Sequence, residues 1–134
     1  MTRPFVLVID DEASIRDLII AILEDEGYRV IGASSGPRAL MLLPEVQPDL
    51  IVLDIMMPGM NGREVLDRIR RTPNSAEIPV VLISAAFGFD SITQPKTAFL
   101  AKPFDIEHLL ATVAATLARW GAGSTRRSGL RRGR

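Results

Sequence analysis

A doubly wound α/β domain, with a parallel sheet between two layers of helices, is the fold class this sequence predicts. Three observations point to it. Short apolar runs recur five times, at residues 5–9, 28–31, 50–53, 80–83 and 97–101. Most of these runs are apolar on successive residues instead of alternating, as suits strands covered on both faces. Nearly every run is followed by a stretch with helical spacing, and strict strand–helix alternation implies right-handed crossovers in a parallel sheet.

The elements follow in order. After the first strand, residues 14–26 place Ile15, Leu18, Ile19, Ile22 and Leu23 at spacings of three and four, and Gly27 is suited to close this helix in a left-handed conformation. A weaker helix is expected over 37–43, stopped by Pro44. After the third strand, Asn61 caps a helix in which Val65, Leu66 and Ile69 face the core while Arg63, Arg68, Arg70 and Arg71 are solvated. Between the fourth and fifth strands, residues 85–96 hold few periodic apolar positions and Pro95 breaks any helix, so a short or irregular fourth helix is expected. The last helix, 105–120, carries Ile106, Leu109, Leu110, Val113 and Leu117. Residues 121–134 are rich in Gly, Ser and Arg and read as a disordered tail, which leaves 1–120 as one folded domain.

Composition narrows the chemistry. The chain has 134 residues, 47% of them hydrophobic, enough for one compact core. It contains no cysteine and one histidine, which excludes disulfides, thiolate zinc sites and imidazole metal sites, so any metal is a hard ion bound by oxygen. No apolar run approaches the ~20 residues of a membrane span, and the apolar start is too short for a secretory core, so the expected location is cytoplasmic. The formal net charge of zero hides an asymmetry: residues 1–120 hold 11 basic against 16 acidic side chains, whereas the tail holds five arginines and no acid. Without aromatic interleaving, such a tail offers salt-sensitive attraction to anions but no specific nucleic-acid recognition.

The polar residues gather at strand ends. Asp10 and Asp11 follow the first strand, Asp54 ends the third, Ser84 the fourth and Lys102 the fifth. In an open parallel sheet the carboxyl ends face one edge, where ligands bind at the topological switch point. With the strand order 2-1-3-4-5 usual for this flavodoxin-like class, Asp10, Asp11 and Asp54 meet there. Three clustered carboxylates repel by roughly 3 kcal/mol per pair, which calls for a cation among them. Magnesium with part of its water shell fits, Lys102 would offset the charge of an incoming phosphoryl group, and Ser84 would donate a hydrogen bond to it. The expected site is a phosphoryl-binding site with a carboxylate nucleophile.

Val8-Ile9-Asp10-Asp11-Glu12 resembles the acid pair of response-regulator receiver domains, the chemotaxis-receiver-like modules of two-component signalling. Asp54-Ile55-Met56-Met57-Pro58-Gly59-Met60-Asn61-Gly62 resembles their phosphoacceptor loop, and Lys102-Pro103-Phe104 their lysine signature. Each motif is common alone; together and in order they are specific. The resemblance spans about residues 4–119. It implies that Asp54 becomes a 4-aspartylphosphate by taking phosphate from a phosphohistidine, with Asp11, Asp54 and the Met56 carbonyl on Mg2+ and Asp10 acting through water. It places Ser84 and Phe99 at the switch positions, which remodel a face made by the fourth helix, fifth strand and fifth helix, and it implies a cis Lys102–Pro103 bond. Implied partners are a histidine kinase or histidine phosphotransfer protein, a downstream protein target, and a second copy through that switch face; no membrane is implied.

Two departures stand out: the interval from Ser84 to Lys102 is short, and Pro95-Lys96-Thr97-Ala98 replaces the small Gly-Ala pair usual before the fifth strand. The positions flanking the phosphate, Met56 and Ala86, offer no polar side chain to orient water, which implies slow self-dephosphorylation. Plainer readings stand beside these. Ser84 is also the kind of residue that caps or turns a strand end, Phe99 is also a core residue, and His108 is an exposed helix residue. A haloacid-type phosphatase would need a second Asp where Met56 stands. A degenerate receiver, acting as a binding surface alone, is the third class. The chain is expected to be a switch and not an enzyme, either a stand-alone receiver or the receiver part of a larger regulator.

Overall fold

The computed structural model describes residues 3–85 and 94–121. Five strands, β1 (Phe5–Ile9), β2 (Arg29–Ala33), β3 (Leu50–Asp54), β4 (Val80–Ala85) and β5 (Thr97–Lys102), form one parallel sheet in the order β2-β1-β3-β4-β5. The described helices are α1 (Ala13–Asp25), α2 (Gly36–Val46), α3 (Gly62–Arg71) and α4 (Ile106–Trp120).

The unbroken apolar strands have the expected physical cause. Alternate residues point to opposite faces, and both faces are covered. Leu7, Ile9, Ile51, Leu53 and Leu82 pack against Ala39, Leu43, Val65, Leu66 and Ile69 of α2 and α3. Val6, Val8, Leu50, Val52, Val81, Ile83 and Leu100 pack against Ile19, Leu23, Leu109 and Val113 of α1 and α4. Burying one such side chain contributes about 1.5–3 kcal/mol, so the central strands β1 and β3 anchor the domain.

Several boundaries differ from the sequence-based expectation. Pro44 does not stop α2, which runs to Val46 before Gln47 turns left-handed (φ 43°) and donates to Leu43 O. The proline falls in the last turn, where its missing N–H removes one helical bond and little remains to be disrupted. Leu18 and Ile106, members of the apolar sets at helical spacing, are 53% and 55% exposed, because each helix meets the sheet along a stripe narrower than its apolar arc. Arg70 is not solvated; its guanidinium is half-buried at the foot of the sheet. Gly27 (φ 106°) does terminate α1, and Asn61 does cap α3, accepting from Glu64 N–H while Glu64 Oε1 accepts from Asn61 N–H. Residues 86–93, which hold Ala86 and most of the expected irregular fourth helix, lie outside the described residues, as does the tail from 122. No helix among the described residues is long and apolar enough to cross a membrane.

Candidate functional site

Strand register builds the site. Ile9 pairs with Leu53, so Asp10 and Asp54 emerge side by side from β1 and β3, and Asp54 pairs with Ile83 of β4. Asp10 shares the parity of Val6 and Val8, Asp54 that of Leu50 and Val52, and Lys102 that of Leu100, so all three project toward the α1/α4 layer. The structure therefore brings Asp10, Asp11 and Asp54 together, with one carboxylate oxygen from each within 4.8 Å of the others. Lys102 Nζ reaches across β4 to lie 3.6 Å from Asp54 Oδ1. The Lys102–Pro103 bond is cis.

Asp10 and Asp54 are each only 2% exposed. Asp10 Oδ1 accepts from Glu12 N–H at 3.0 Å and Asp54 Oδ1 from Met56 N–H at 3.1 Å. Burial is the largest influence on both carboxyls and raises their pKa; the Glu12 and Met56 N–H groups and Lys102 oppose it, while the neighbouring aspartates add to it. One lysine does not balance three carboxylates. Repulsion at these separations is about 3.5 kcal/mol per pair at an effective dielectric near 20, a large fraction of the ~5–15 kcal/mol that holds a domain folded. The donor set is oxygen alone, and the chain's one histidine, His108, is exposed on α4. Such a set fits a hard divalent cation and not zinc or copper.

Ser84 is 1% exposed and pairs with Ala101, one residue beyond the partner of Asp54. Its parity is that of Leu82, the partner of Phe99, so Ser84 and Phe99 lie diagonally on the α2/α3 side of the sheet, opposite to Lys102. Phe99 is 40% exposed. The Met56 side chain is 69% exposed, and the contact the structure shows for its backbone is the N–H donation to Asp54.

Two glycines shape the loop. Gly59 has φ 72°, a conformation that favours glycine. A Cβ on Gly62 would lie 2.5 Å from Ile55 Cα and 2.6 Å from Asp54 O, so α3 starts directly beneath the acidic cluster because residue 62 has no side chain. Arg16 was not singled out from the sequence. Its Nη1 donates to Asp10 O at 2.8 Å, and its aliphatic stem lies against Gly32, where a Cβ would come within 3.1 Å of Arg16 Cδ. The signal available was an Arg six residues after Asp10, indistinguishable in sequence from a solvated helix residue.

Comparison with known proteins places this geometry. The sequence model of the response regulator receiver domain matches residues 6–114. The DNA-binding dual master transcriptional regulator RpaA of Synechocystis is 42% identical over 123 residues, covering 87% of this chain and 50% of that protein. The phosphate regulon transcriptional regulatory protein PhoB of Pseudomonas aeruginosa is 34% identical, over 93% of this chain and 56% of that one. The chain thus spans about half the length of these relatives. Among solved structures, the chemotaxis response regulator CheY4 of Vibrio cholerae superposes with a TM-score of 0.80 at 31% identity, over 87% of this chain and all of that one. NtrX from Brucella abortus superposes at 0.85 with 32% identity, over 97% of this chain and 30% of its own.

Proposed function

The chain belongs to the response regulator receiver domain family of two-component signalling, and from that premise we propose that Asp54 is its phosphoacceptor, within a receiver unit spanning residues 1–120. The observation that carries this is the placement of one buried carboxylate, Asp54, between a lysine at 3.6 Å and two further aspartates within 4.8 Å. Of the three acids it alone has the ammonium beside it, so the charge of a phosphoryl group delivered there is offset where it arrives.

In the transfer, an Asp54 carboxylate oxygen forms a bond to phosphorus as the P–N bond of a phosphohistidine breaks; the electron pair stays with the imidazole nitrogen, which is protonated. Met56 N–H holds Asp54 Oδ1 and so fixes the carboxylate plane. Asp10 and Asp11, with Asp54 and the Met56 carbonyl, would hold Mg2+, which when bound supplies charge neutralisation and a template for phosphoryl oxygens. Lys102 would follow the phosphoryl oxygens, and Ser84 would donate a hydrogen bond to one of them. Ser84 and Phe99 are diagonal neighbours on one side of the sheet, which supports a coupled movement of the two that alters the surface around β5 and α4. The phosphoryl donor is a histidine kinase or histidine phosphotransfer protein. The output is contact with a downstream protein or a second copy, in the cytoplasm. The DNA-binding regulator RpaA has about half of its length outside the matched part, and its DNA binding is its own.

The test is intact mass after incubation with acetyl phosphate, with and without Mg2+, for the protein and for Asp54→Ala. One phosphoryl group added only with Mg2+, and lost in the variant, is the expected result. No addition with any donor would leave a degenerate receiver that acts by binding alone.

A further inference from the structure

Arg70 sits in the last turn of α3, on a helix whose neighbouring arginines are exposed, yet its guanidinium is turned under the sheet. Nη1 donates to Ile78 O at 2.6 Å and Ala76 O at 3.3 Å, on the segment leading into β4. Nε donates to Pro95 O at 3.1 Å, and Nη2 to Lys96 O at 2.9 Å and Thr97 Oγ1 at 3.4 Å, at the entry of β5. Among the described residues its hydrogen-bond partners are thus four carbonyls and a hydroxyl, none of them a carboxylate. A planar fork of five N–H groups in fixed geometry is well suited to grip two backbone segments at once.

The segment it grips is the Pro95-Lys96-Thr97 run at the entry of β5. Lys96 has φ 53°, a backbone that residues with a Cβ rarely adopt, and its carbonyl accepts from Val80 N–H at 3.0 Å as well as from Arg70. Thr97 then pairs with Val80 and opens the ladder that ends at the Ala85–Lys102 pair. Strand β5 is an edge strand, paired with β4 alone. Its seat on β4 is therefore held by one ladder and by whatever secures its ends.

We propose that Arg70 is a positioning residue: by tying the entries of β4 and β5 to the end of α3, it holds β5 in place so that Lys102, five residues on, stands against Asp54. The proposal rests on the reading of Asp54 as phosphoacceptor and adds a determinant at the opposite end of the sheet. Helix α3 starts beneath the acidic cluster at Gly62 and ends at this clamp, so one helix spans both ends of the arrangement.

The experiment compares Arg70→Met, which keeps the packing stem and removes every donor, with Ser75→Ala. Ser75 is a buried hydroxyl at the same corner that donates to Ile69 O at 2.8 Å and has no hydrogen bond to β5. Backbone amide exchange and phosphorylation by acetyl phosphate with saturating Mg2+ are measured on both, at equal folded fraction. The expected result for Arg70→Met is loss of exchange protection at Phe99, Leu100 and Lys102 with β1 and β3 unchanged. Its maximal phosphorylation rate should fall about tenfold, with little change in the half-saturating donor concentration; Ser75→Ala should show neither effect. Arg70→Lys, a single point donor, should fall between, and it carries the comparison if Arg70→Met does not fold. Equal behaviour of the Arg70 and Ser75 variants would overturn the proposal and leave Arg70 a general stabiliser. If the unsubstituted protein takes up no phosphate, the reading of Asp54 falls instead, and the exchange pattern still decides whether Arg70 holds β5.

Discussion

Replacing Asp54 by Asn tests the electrostatic account of the site directly. The acidic oxygens lie within 4.8 Å of one another, so Asp54 contributes two repulsive pairs, about 7 kcal/mol together at an effective dielectric near 20. Against this stands its attraction to Lys102 at 3.6 Å, about 5 kcal/mol on the same scale and less in practice, because the lysine side chain is 33% exposed and screened by solvent. The balance favours the amide by about 2 kcal/mol, before counting the desolvation of a carboxylate that is 2% exposed. In chelator at pH 7, Asp54→Asn should therefore melt roughly 6–10 °C above the unsubstituted protein, given the entropy of unfolding of a domain this size. Urea titration followed by circular dichroism should show a higher midpoint with unchanged slope. Adding Mg2+ should narrow or reverse the order, since a ligand at 100 times its Kd adds about 2.7 kcal/mol to the form that binds it. An Asp54→Asn protein less stable than its parent in chelator would refute the claim that the three carboxylates are under unrelieved repulsion.

Because burial raises the pKa of Asp10 and Asp54 above their ordinary 3.8, the folded state holds more protons than the unfolded state in the window just above that value. Stability of the metal-free protein should then be fully present below that window and fall as pH rises through the folded pKa values, so lowering the pH into that window stabilises it; a denaturant midpoint that drops as the pH is lowered into that window in chelator would contradict this. Magnesium affinity should move the other way, weakening as pH falls, since the ion needs ionised carboxylates, and titration calorimetry at two pH values would show it. Gly62→Ala drives a methyl into Asp54 O and Ile55 Cα, and should cost about 2 kcal/mol or more of stability together with most of the phosphorylation rate, whereas Gly59→Ala, with open space around its Cβ, should cost about 1 kcal/mol and spare the rate. Met56→Asn places an amide where an exposed thioether now offers no hydrogen bond to water, and should shorten the lifetime of the phosphorylated form severalfold, measured by loss of the phosphoryl mass; a parent lifetime of seconds would refute slow self-dephosphorylation.

Much of this molecule was legible in its residues. The five strands were readable because a strand buried on both faces shows its environment in a run of adjacent apolar side chains, and Asn61 and Gly27 act within three residues of themselves. That the acid pair, Asp54 and Lys102 come together was legible because strand ends in a parallel sheet share an edge whatever the loops do. The exposure of Leu18 and Ile106 was not legible, because an apolar arc says which side of a helix is apolar, not how much of that side the sheet covers. Pro44 was misjudged because its cost depends on how much helix follows.

Sequence by itself determined the alternation of strands and helices and the identity of the acids at the switch point, since both follow from patterns a few residues long. The tertiary structure alone decided what depends on register and crossing. It turned Asp10, Asp54 and Lys102 to one side of the sheet and Ser84 and Phe99 to the other. It also took one arginine from a run of exposed ones and folded it under β5, onto acceptors 6 to 27 residues away. A side chain's partners at that separation are set by where the backbone returns, and no local pattern records that.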